Sequence, residues 1–353
     1  MEFKPENKIM LFPRINKIII IVVAIAFVIT GIRGYQLFKY IFEINVKTPG
    51  SIIISREANF NQVLDSLKKH DILINNKAFK WVSKRKKYSN SIKPGKYLFD
   101  SGMNTNQIVN MLRSGSQEPV VVTFNNIRNF KQLAAAISKY IEPDSLLLLQ
   151  RLTDTTMYAK YGFTERTIPC MYIPNSYEFY WTTTPEQFTD RMAAEYKRFW
   201  TDDRKAKATA KGLTPEQVST IASIVQEETV KNEEKPIVAG LYLNRLKKGM
   251  LLQADPTIKF ALNDFTIRRV LNEYLLIDSP YNTYKYAGLP PGPINFPEIS
   301  SIEAVLNAEK HNYMYMCAKE DFSGYHNFAV TLDGHNQNAR KYQAALNKNK
   351  IWK

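Results

Sequence analysis

From Ile18 to Ile32 every residue is apolar except Thr30 and Gly31. A core helix would interrupt such a run with polar positions once per turn, and this segment does not. It is shorter than the ~20 residues a helical span needs. Tyr35, Leu37, Phe38, Tyr40, Ile41 and Phe42 carry the apolar character onward, with Arg33 and Lys39 placed to snorkel at the exit. Arg14 and Lys17 precede the run, so basic residues flank both ends and do not by themselves orient it. We expect residues 1–17 to be a short tail and 18–40 a transmembrane anchor. A cleaved signal peptide, the rival reading, would need a small-x-small site after the run, and none is evident.

Beyond the anchor the periodicity changes. Pro49-Gly50 breaks the chain and Ile52–Ile54 reads as a strand. Asn59 opens an amphipathic helix bearing Phe60, Val63, Leu64 and Leu67, and Phe79, Trp81 and Val82 mark a second. Pro94-Gly95 reads as a turn into a strand over residues 96–99. Asn104 and Gln107 then frame a helix with Ile108, Met111 and Leu112 inside and Gly115 as its stop. This order predicts a small α+β module over residues 47–117. A larger α+β domain follows over 118–353. It starts with a strand at residues 120–124 and a helix carrying Leu133, Ile137 and Ile141. Ser300-Ser301-Ile302-Glu303 looks like a capping box, residues 311–317 and 326–330 read as strands, and a final helix is expected from about Asn338.

The most informative helix lies between. Thr214-Pro215-Glu216-Gln217 combines an N-cap, a proline at the first helical position and a closing glutamine. Val218, Ile221, Ala222 and Val225 recur at helical spacing, so their face is expected to be buried. At about 100° per residue, Glu228 falls between Ile221 and Ile224 at the edge of that stripe, with Glu227 opposite. A carboxyl among aliphatic neighbours resists ionisation, as a general acid near neutral pH requires. Spacing alone also suits a surface acid at a frayed helix end.

The chain has 353 residues, 44% of them hydrophobic, enough for two or three packed domains. A formal charge of +15 points to anionic partners: a membrane surface, a wall polymer or nucleic acid. The last finds no zinc spacing, aromatic ribonucleoprotein motif or helix-turn-helix signal. Lys84-Arg85-Lys86-Lys87 is the densest basic cluster and reads as a solvated loop near anionic lipid or substrate. Two cysteines, Cys170 and Cys317, exclude a disulfide framework and leave either one bridge or two free thiols. The histidines, His70, His311, His326 and His335, show no metal-ligand spacing, and no P-loop, dinucleotide or serine-nucleophile motif occurs.

The run from Ile221 to Thr229 resembles the signature of the YceG-like endolytic murein transglycosylases. Further matching segments follow in that family's order: Leu243-Asn244-Arg245-Leu246, Gly249-Met250, Leu252 to Thr257, Ser279 to Tyr284, Gly288 to Ile294, His326-Asn327-Phe328 and His335-Asn336. Ile173 to Phe179 matches more weakly. The family often has an acid where Gln226 stands, and aligning the motif on its closing Thr229 selects Glu228 as the key carboxylate. The resemblance implies cleavage of nascent peptidoglycan strands between N-acetylmuramic acid and N-acetylglucosamine. Products would carry 1,6-anhydromuramic ends, and strand elongation would be limited. It further implies that the small module is LysM-like rather than a plain spacer, and that the short tail lies in the cytoplasm with the bulk of the chain on the extracytoplasmic side of the cell membrane; no cofactor is expected, and the histidine spacing predicts no metal. Peptidoglycan synthases stay open as partners.

In such a reaction one glutamate can serve as acid and base, because the muramic 6-hydroxyl attacks C1 in place of water. Glu228 is the candidate for both roles. Asn244, Arg245, Gln253, Tyr281, Asn282, Thr283 and Tyr284 supply donors and rings suited to sugars. Asp255 is the candidate second carboxylate; before Pro256, accepting backbone hydrogen bonds in an Asx-type turn competes with a role as nucleophile. His326 and His335 could line the cleft or serve as hydrogen-bonded structural residues. Two other readings remain: a membrane-tethered glycan-binding scaffold without activity, and a hydrolase using Asp255.

Overall fold

A computed structural model describes residues 17–267 and 269–349, so the expected tail lies outside the described residues apart from Lys17. The chain divides into two compact units between Glu118 and Pro119. The first begins with α1 (Lys17–Phe42), whose apolar side chains from Ile18 to Ile32 are all exposed. Its length and composition are those of a membrane-crossing helix. The module then runs β1 (Gly50–Ile54), α2 (Phe60–Lys69), α3 (Asn76–Arg85), β2 (Gly95–Phe99) and α4 (Thr105–Ser114). The two strands pair antiparallel, Gly50 opposite Phe99 and Ile54 opposite Gly95. Asn59 and Asn104 close capping boxes with Gln62 and Gln107, and Gly115 ends α4 at φ +76°, a left-handed conformation that costs glycine little. Ile52, Leu67, Phe79, Tyr97 and Leu112 meet in its core.

The second unit is mainly helical. Strand β3 (Val120–Phe124) leads to α5 (Phe130–Ile137), α6 (Ser145–Leu152) and α7 (Thr155–Lys160). Next come β4 (Asn175–Phe179), α8 (Pro185–Phe199), α9 (Asp202–Thr209), α10 (Pro215–Glu228), α11 (Lys235–Lys247) and α12 (Asp255–Ala261). The unit closes with α13 (Ile299–Leu306), β5 (Tyr315–Ala318), β6 (His326–Ala329) and α14 (Leu332–Lys348). Strands β3 and β4 pair antiparallel with Val120 opposite Phe179, and β5 pairs with β6, Tyr315 opposite Ala329. One core joins the β3–β4 ribbon to α5–α8; a second gathers around α10, α11 and α13.

Helix α10 is more deeply placed than a one-sided stripe implies. Every residue from Val218 to Val225 is buried. Two of its polar members are satisfied inside: Thr220 donates to the Glu216 carbonyl at 2.8 Å, and Ser223 donates to the Thr220 carbonyl at 2.7 Å and accepts from the Ile294 amide at 3.0 Å. Thr214 and Gln217 form the expected capping box.

Four local expectations are corrected. Helix α5 ends at Ile137, leaving Ile141 buried beyond it. Helix α13 begins at Ile299 with Glu298 as N-cap, and Ser300-Ser301-Ile302-Glu303 forms no capping box. Ser300 accepts from Lys235 and Glu303 pairs with Arg204, so both ends of that tetrad are engaged elsewhere. Residues 311–314 lie outside any strand, with Met314 alone bonding across to the Ala329 carbonyl at 2.9 Å, and strand β5 starts only at Tyr315. Helix α14 starts at Leu332, because the Thr331 hydroxyl accepts the Gly334 amide; the weak helix formers Asp333, Gly334 and Asn336 hid its first turn from the sequence.

Candidate active site

The buried column of α10 releases its last acid into a cleft of about 420 Å³ bounded by α11, α12, β5 and the start of β6. There the Glu228 Oε1 atom accepts a hydrogen bond from the Tyr242 hydroxyl at 2.6 Å. Glu228 keeps an opening to the cleft, yet its surroundings desolvate it. Burial pushes its carboxyl up to about 7, against the Tyr242 hydrogen bond, which pulls it down, and with the Asp255 charge, which adds to the rise. Tyr242 is only 2% exposed; burial first and the Glu228 carboxylate second raise it well above its ordinary range, so it remains a donor. Glu227 leaves α10 in another direction. One of its oxygens accepts from Asn295 at 3.0 Å and the other faces Arg128 at 3.4 Å.

Arg245 frames the cleft rather than offering its charge to solvent. It is 7% exposed. Its Nε donates to the Met314 carbonyl at 2.6 Å and its Nη1 to the Leu252 carbonyl at 2.8 Å, and its guanidinium lies over the Tyr315 ring. One side chain thus ties the loop before α12 to the strand opposite. Gln253 sits in that loop at φ +51°, a strained position for a residue with a side chain, and its Oε1 accepts from Arg245 at 3.3 Å. Asp255 occupies the first turn of α12 and makes no Asx-type turn, since Ala254 is the N-cap. Its exposed carboxylate accepts instead from the Tyr284 hydroxyl. Tyr284 also lines the cleft, and burial, then that hydrogen bond, push its hydroxyl well above the ordinary tyrosine range, so it stays protonated.

The remaining candidate binding residues are placed elsewhere. Asn282 is fully buried and donates to the carbonyls of Leu275 and Ile277 at 2.9 and 2.8 Å. Thr283 accepts the Ala254 amide at 3.0 Å and meets the Thr257 hydroxyl at 2.8 Å. Both brace the loop that delivers Tyr284. Tyr281 packs against Phe260 with the rings tilted, 4.6 Å between centroids, and lines a different cavity. Asn244 donates to the His311 and Tyr313 carbonyls at 2.8 and 3.2 Å, fastening α11 to the segment before β5. Of the eight, Arg245, Gln253, Asp255 and Tyr284 share the cleft with Glu228.

His326 and His335 line it as well. His326 is gripped by Glu234, itself 3% exposed, which accepts both the His326 amide at 2.7 Å and the ring Nδ1 at 2.8 Å. A carboxylate at Nδ1 fixes the proton there, leaving Nε2 as the ring's other polar atom. His335 stacks on Tyr315, and burial, then Arg245, lowers its ionisation. Tyr242 and Glu234 escaped sequence reasoning. Tyr242 looked like any core tyrosine, and Glu234 gains its partner 92 residues away.

A larger cavity of about 1040 Å³ lies near the start of α10. Its carboxylate, Glu216, is already engaged by Tyr196 at 3.1 Å and Thr214 at 2.8 Å. The cleft at Glu228 is therefore the one with a poised acid. Cys170 is buried and Cys317 lines this cleft; both thiols are free.

Residues 52–341 match the sequence profile of the YceG-like family. The chain is 30% identical over 316 residues to the endolytic murein transglycosylase of Bacillus subtilis, covering 85% of this chain and 87% of that protein. It is 26% identical over 346 residues to the endolytic murein transglycosylase of Streptococcus pneumoniae, covering 88% of this chain but only 62% of that longer protein. A crystal structure of a yceG-like protein from Listeria monocytogenes superposes with a TM-score of 0.52 at 27% identity, over 82% of this chain and 99% of the other.

Proposed function

Because the chain belongs to the YceG-like family, we propose that it is an endolytic murein transglycosylase with Glu228 as its acid and base. The observation that carries this reading is a single carboxyl at the end of a buried helix, raised to about 7 and facing an open cleft. The names of the Bacillus and Streptococcus relatives support it.

Glu228 Oε1 is occupied by the Tyr242 hydroxyl, so the acidic proton is carried on Oε2. That proton passes to the glycosidic oxygen between N-acetylmuramic acid and N-acetylglucosamine as the C1–O bond breaks. The carboxylate left behind takes the proton of the muramic 6-hydroxyl, whose oxygen closes on C1 as a 1,6-anhydro ring. No water is consumed, and Glu228 ends protonated as it began. His326, held by Glu234, places a polarised ring beside the carboxylate at the moment its charge appears. Arg245, Gln253, Asp255 and Tyr284 are proposed to hold the sugar. Cutting within nascent strands would limit their elongation.

Helix α1 is proposed to cross the cell membrane once, with the small module after it and the second unit on the extracytoplasmic side, where peptidoglycan is met. Its length and unbroken apolar surface support the span. The β1–α2–α3–β2 order of the small module supports a LysM-like role in holding glycan.

A hydrolytic reading draws on Asp255, whose charge bears on Glu228 from within the same cleft. Mass spectrometry of the products decides between them. Ends lighter by one water, without a reducing terminus, are expected from the intact enzyme and from Asp255→Asn. Reducing ends from the intact enzyme would overturn the transglycosylase reading.

A further inference from the structure

Residues 1–118 hold 19 of the chain's lysines and arginines against 8 acidic residues, which places +11 of its +15 charge in one third of its length. The excess is concentrated further. Between Ile72 and Phe99 there are eight basic residues and no acidic one. Helix α3 sorts them: Ala78, Phe79 and Val82 are buried, whereas Lys77, Lys80, Lys84 and Arg85 are exposed. At about 100° per residue these four and Trp81 fall on one face. Lys87 follows, also exposed, while Lys86 turns inward to Asn106 and Asn110. Among the described residues none of Lys77, Lys80, Lys84, Arg85 and Lys87 forms an ion pair. Lys47 and Lys68, by contrast, pair with Asp71 and Asp65.

This face is joined to the end of the apolar helix. The Tyr40 ring of α1 meets the Trp81 ring edge-on, 6.4 Å between centroids, and the Arg85 guanidinium lies over Trp81 at 5.3 Å. Ile41 packs on the module's core. A tyrosine just past the apolar stretch of a membrane span sits at headgroup depth, where tryptophan also partitions. Through these contacts the basic face of α3 is held at that same depth.

We infer that the outward face of α3, with Lys77, Lys80, Trp81, Lys84, Arg85 and Lys87, docks on anionic phospholipid headgroups at the membrane surface. The inference rests on the reading of α1 as a membrane span. It goes beyond that reading in making the module itself a lipid-surface contact, so that the module is seated against the bilayer rather than swinging from its anchor. A wall polymer would offer similar phosphate charge, but only the bilayer is brought to this face by the Tyr40–Trp81 contact.

The test uses the full chain in nanodiscs of phosphatidylcholine, with and without phosphatidylglycerol. The reactivity of individual lysines toward an acylating reagent is read by mass spectrometry. Lys77, Lys80, Lys84 and Lys87 should lose about fivefold in reactivity when phosphatidylglycerol is present, as expected for ~1 kcal/mol per basic residue near an anionic leaflet. High salt should restore it, and the exposed Lys205 of α9 should not change. Lys80→Glu with Lys84→Glu should abolish the protection of Lys77 and Lys87 while insertion continues. Equal reactivity in both nanodiscs, with the chain inserted and resistant to salt extraction, would overturn the docking inference alone. Failure to insert would overturn the span on which it rests. Protection that appears only when a polyanionic wall polymer is added to phosphatidylcholine nanodiscs would reassign the face to that polymer.

Discussion

Glu228 combines two properties that conflict in water: a carboxyl that holds its proton near neutrality and an opening through which to give it away. Burial supplies the first and the cleft the second. Glu228→Gln keeps the shape and removes the proton, so turnover of glycan strands should fall by orders of magnitude with the fold intact. The same change has a stability signature. With the folded carboxyl raised from 4.5 to about 7, its contribution to stability is fully present below about pH 4.5 and lost as pH rises through 7. Glu228→Gln removes that loss. Its melting temperature should therefore exceed the parent's at pH 8, by the equivalent of about 1–3 kcal/mol, and converge with it near pH 4.5. Thermal melts across this range test the sign. Tyr242→Phe acts on the same group in a graded way. Its hydroxyl pulls the Glu228 carboxyl down, so without it the alkaline limb of kcat/KM should move to higher pH. A limb that moves to lower pH would mean that Tyr242 does not govern this proton. Glu227→Gln is the matched control: it retains a group for Asn295 and loses only a partly exposed pairing with Arg128, worth at most about 1 kcal/mol.

Helices α2, α4 and α10 were readable because a cap and an apolar stripe coincided, whereas α8, whose Thr184 and Gln187 close the same kind of box, went unread. Thr214 with Gln217, Asn59 with Gln62 and Asn104 with Gln107 all close capping boxes, because those signals act within four residues. The site was readable only in part, because polar residues in a dense loop look alike until their partners are known. Asn282 and Thr283 spend their hydrogen bonds on backbone and Tyr284 reaches the cleft, though the three are consecutive. The Glu234–His326 pair needed β6 to fold back onto the start of α11, which no local pattern encodes. The same holds for the packing of α11. A Cβ at Gly240 would stand 2.5 Å from the Glu309 carbonyl oxygen and 2.7 Å from His311 Nε2, the ring that contacts the Ile237 carbonyl. Gly240→Ala should therefore push α11 from the segment before β5 and cost about 1–3 kcal/mol, despite alanine's better helix propensity. Because Tyr242 and Arg245 ride on this helix, activity should fall along with the midpoint in chemical denaturation. A stabilised variant would show that the segment before β5 yields freely.

Across the whole chain, the two units divide charge and chemistry between them. The small unit holds most of the net positive charge, while every residue lining the Glu228 cleft belongs to residues 119–353. Their buried clusters are separate as well. That of the module runs from Val46 to Leu112, and those of the larger unit draw on nothing before Val120. At 235 residues (353 less 118), the larger unit is of a size that buries enough surface to fold alone. Residues 119–353 expressed by themselves should thus unfold in a cooperative transition, retain the alkaline limb near pH 7 and cut soluble glycan strands at a rate within a few-fold of the full chain. On strands still attached to a membrane the full chain should be far ahead, because an anchored enzyme meets anchored substrate at a raised effective concentration. Comparing the two forms on the two substrates isolates that effect. Equal rates on membrane-attached strands would mean that α1 and the module add nothing to substrate capture. A fragment that is folded but inactive on soluble strands would mean that the small unit is required for catalysis itself.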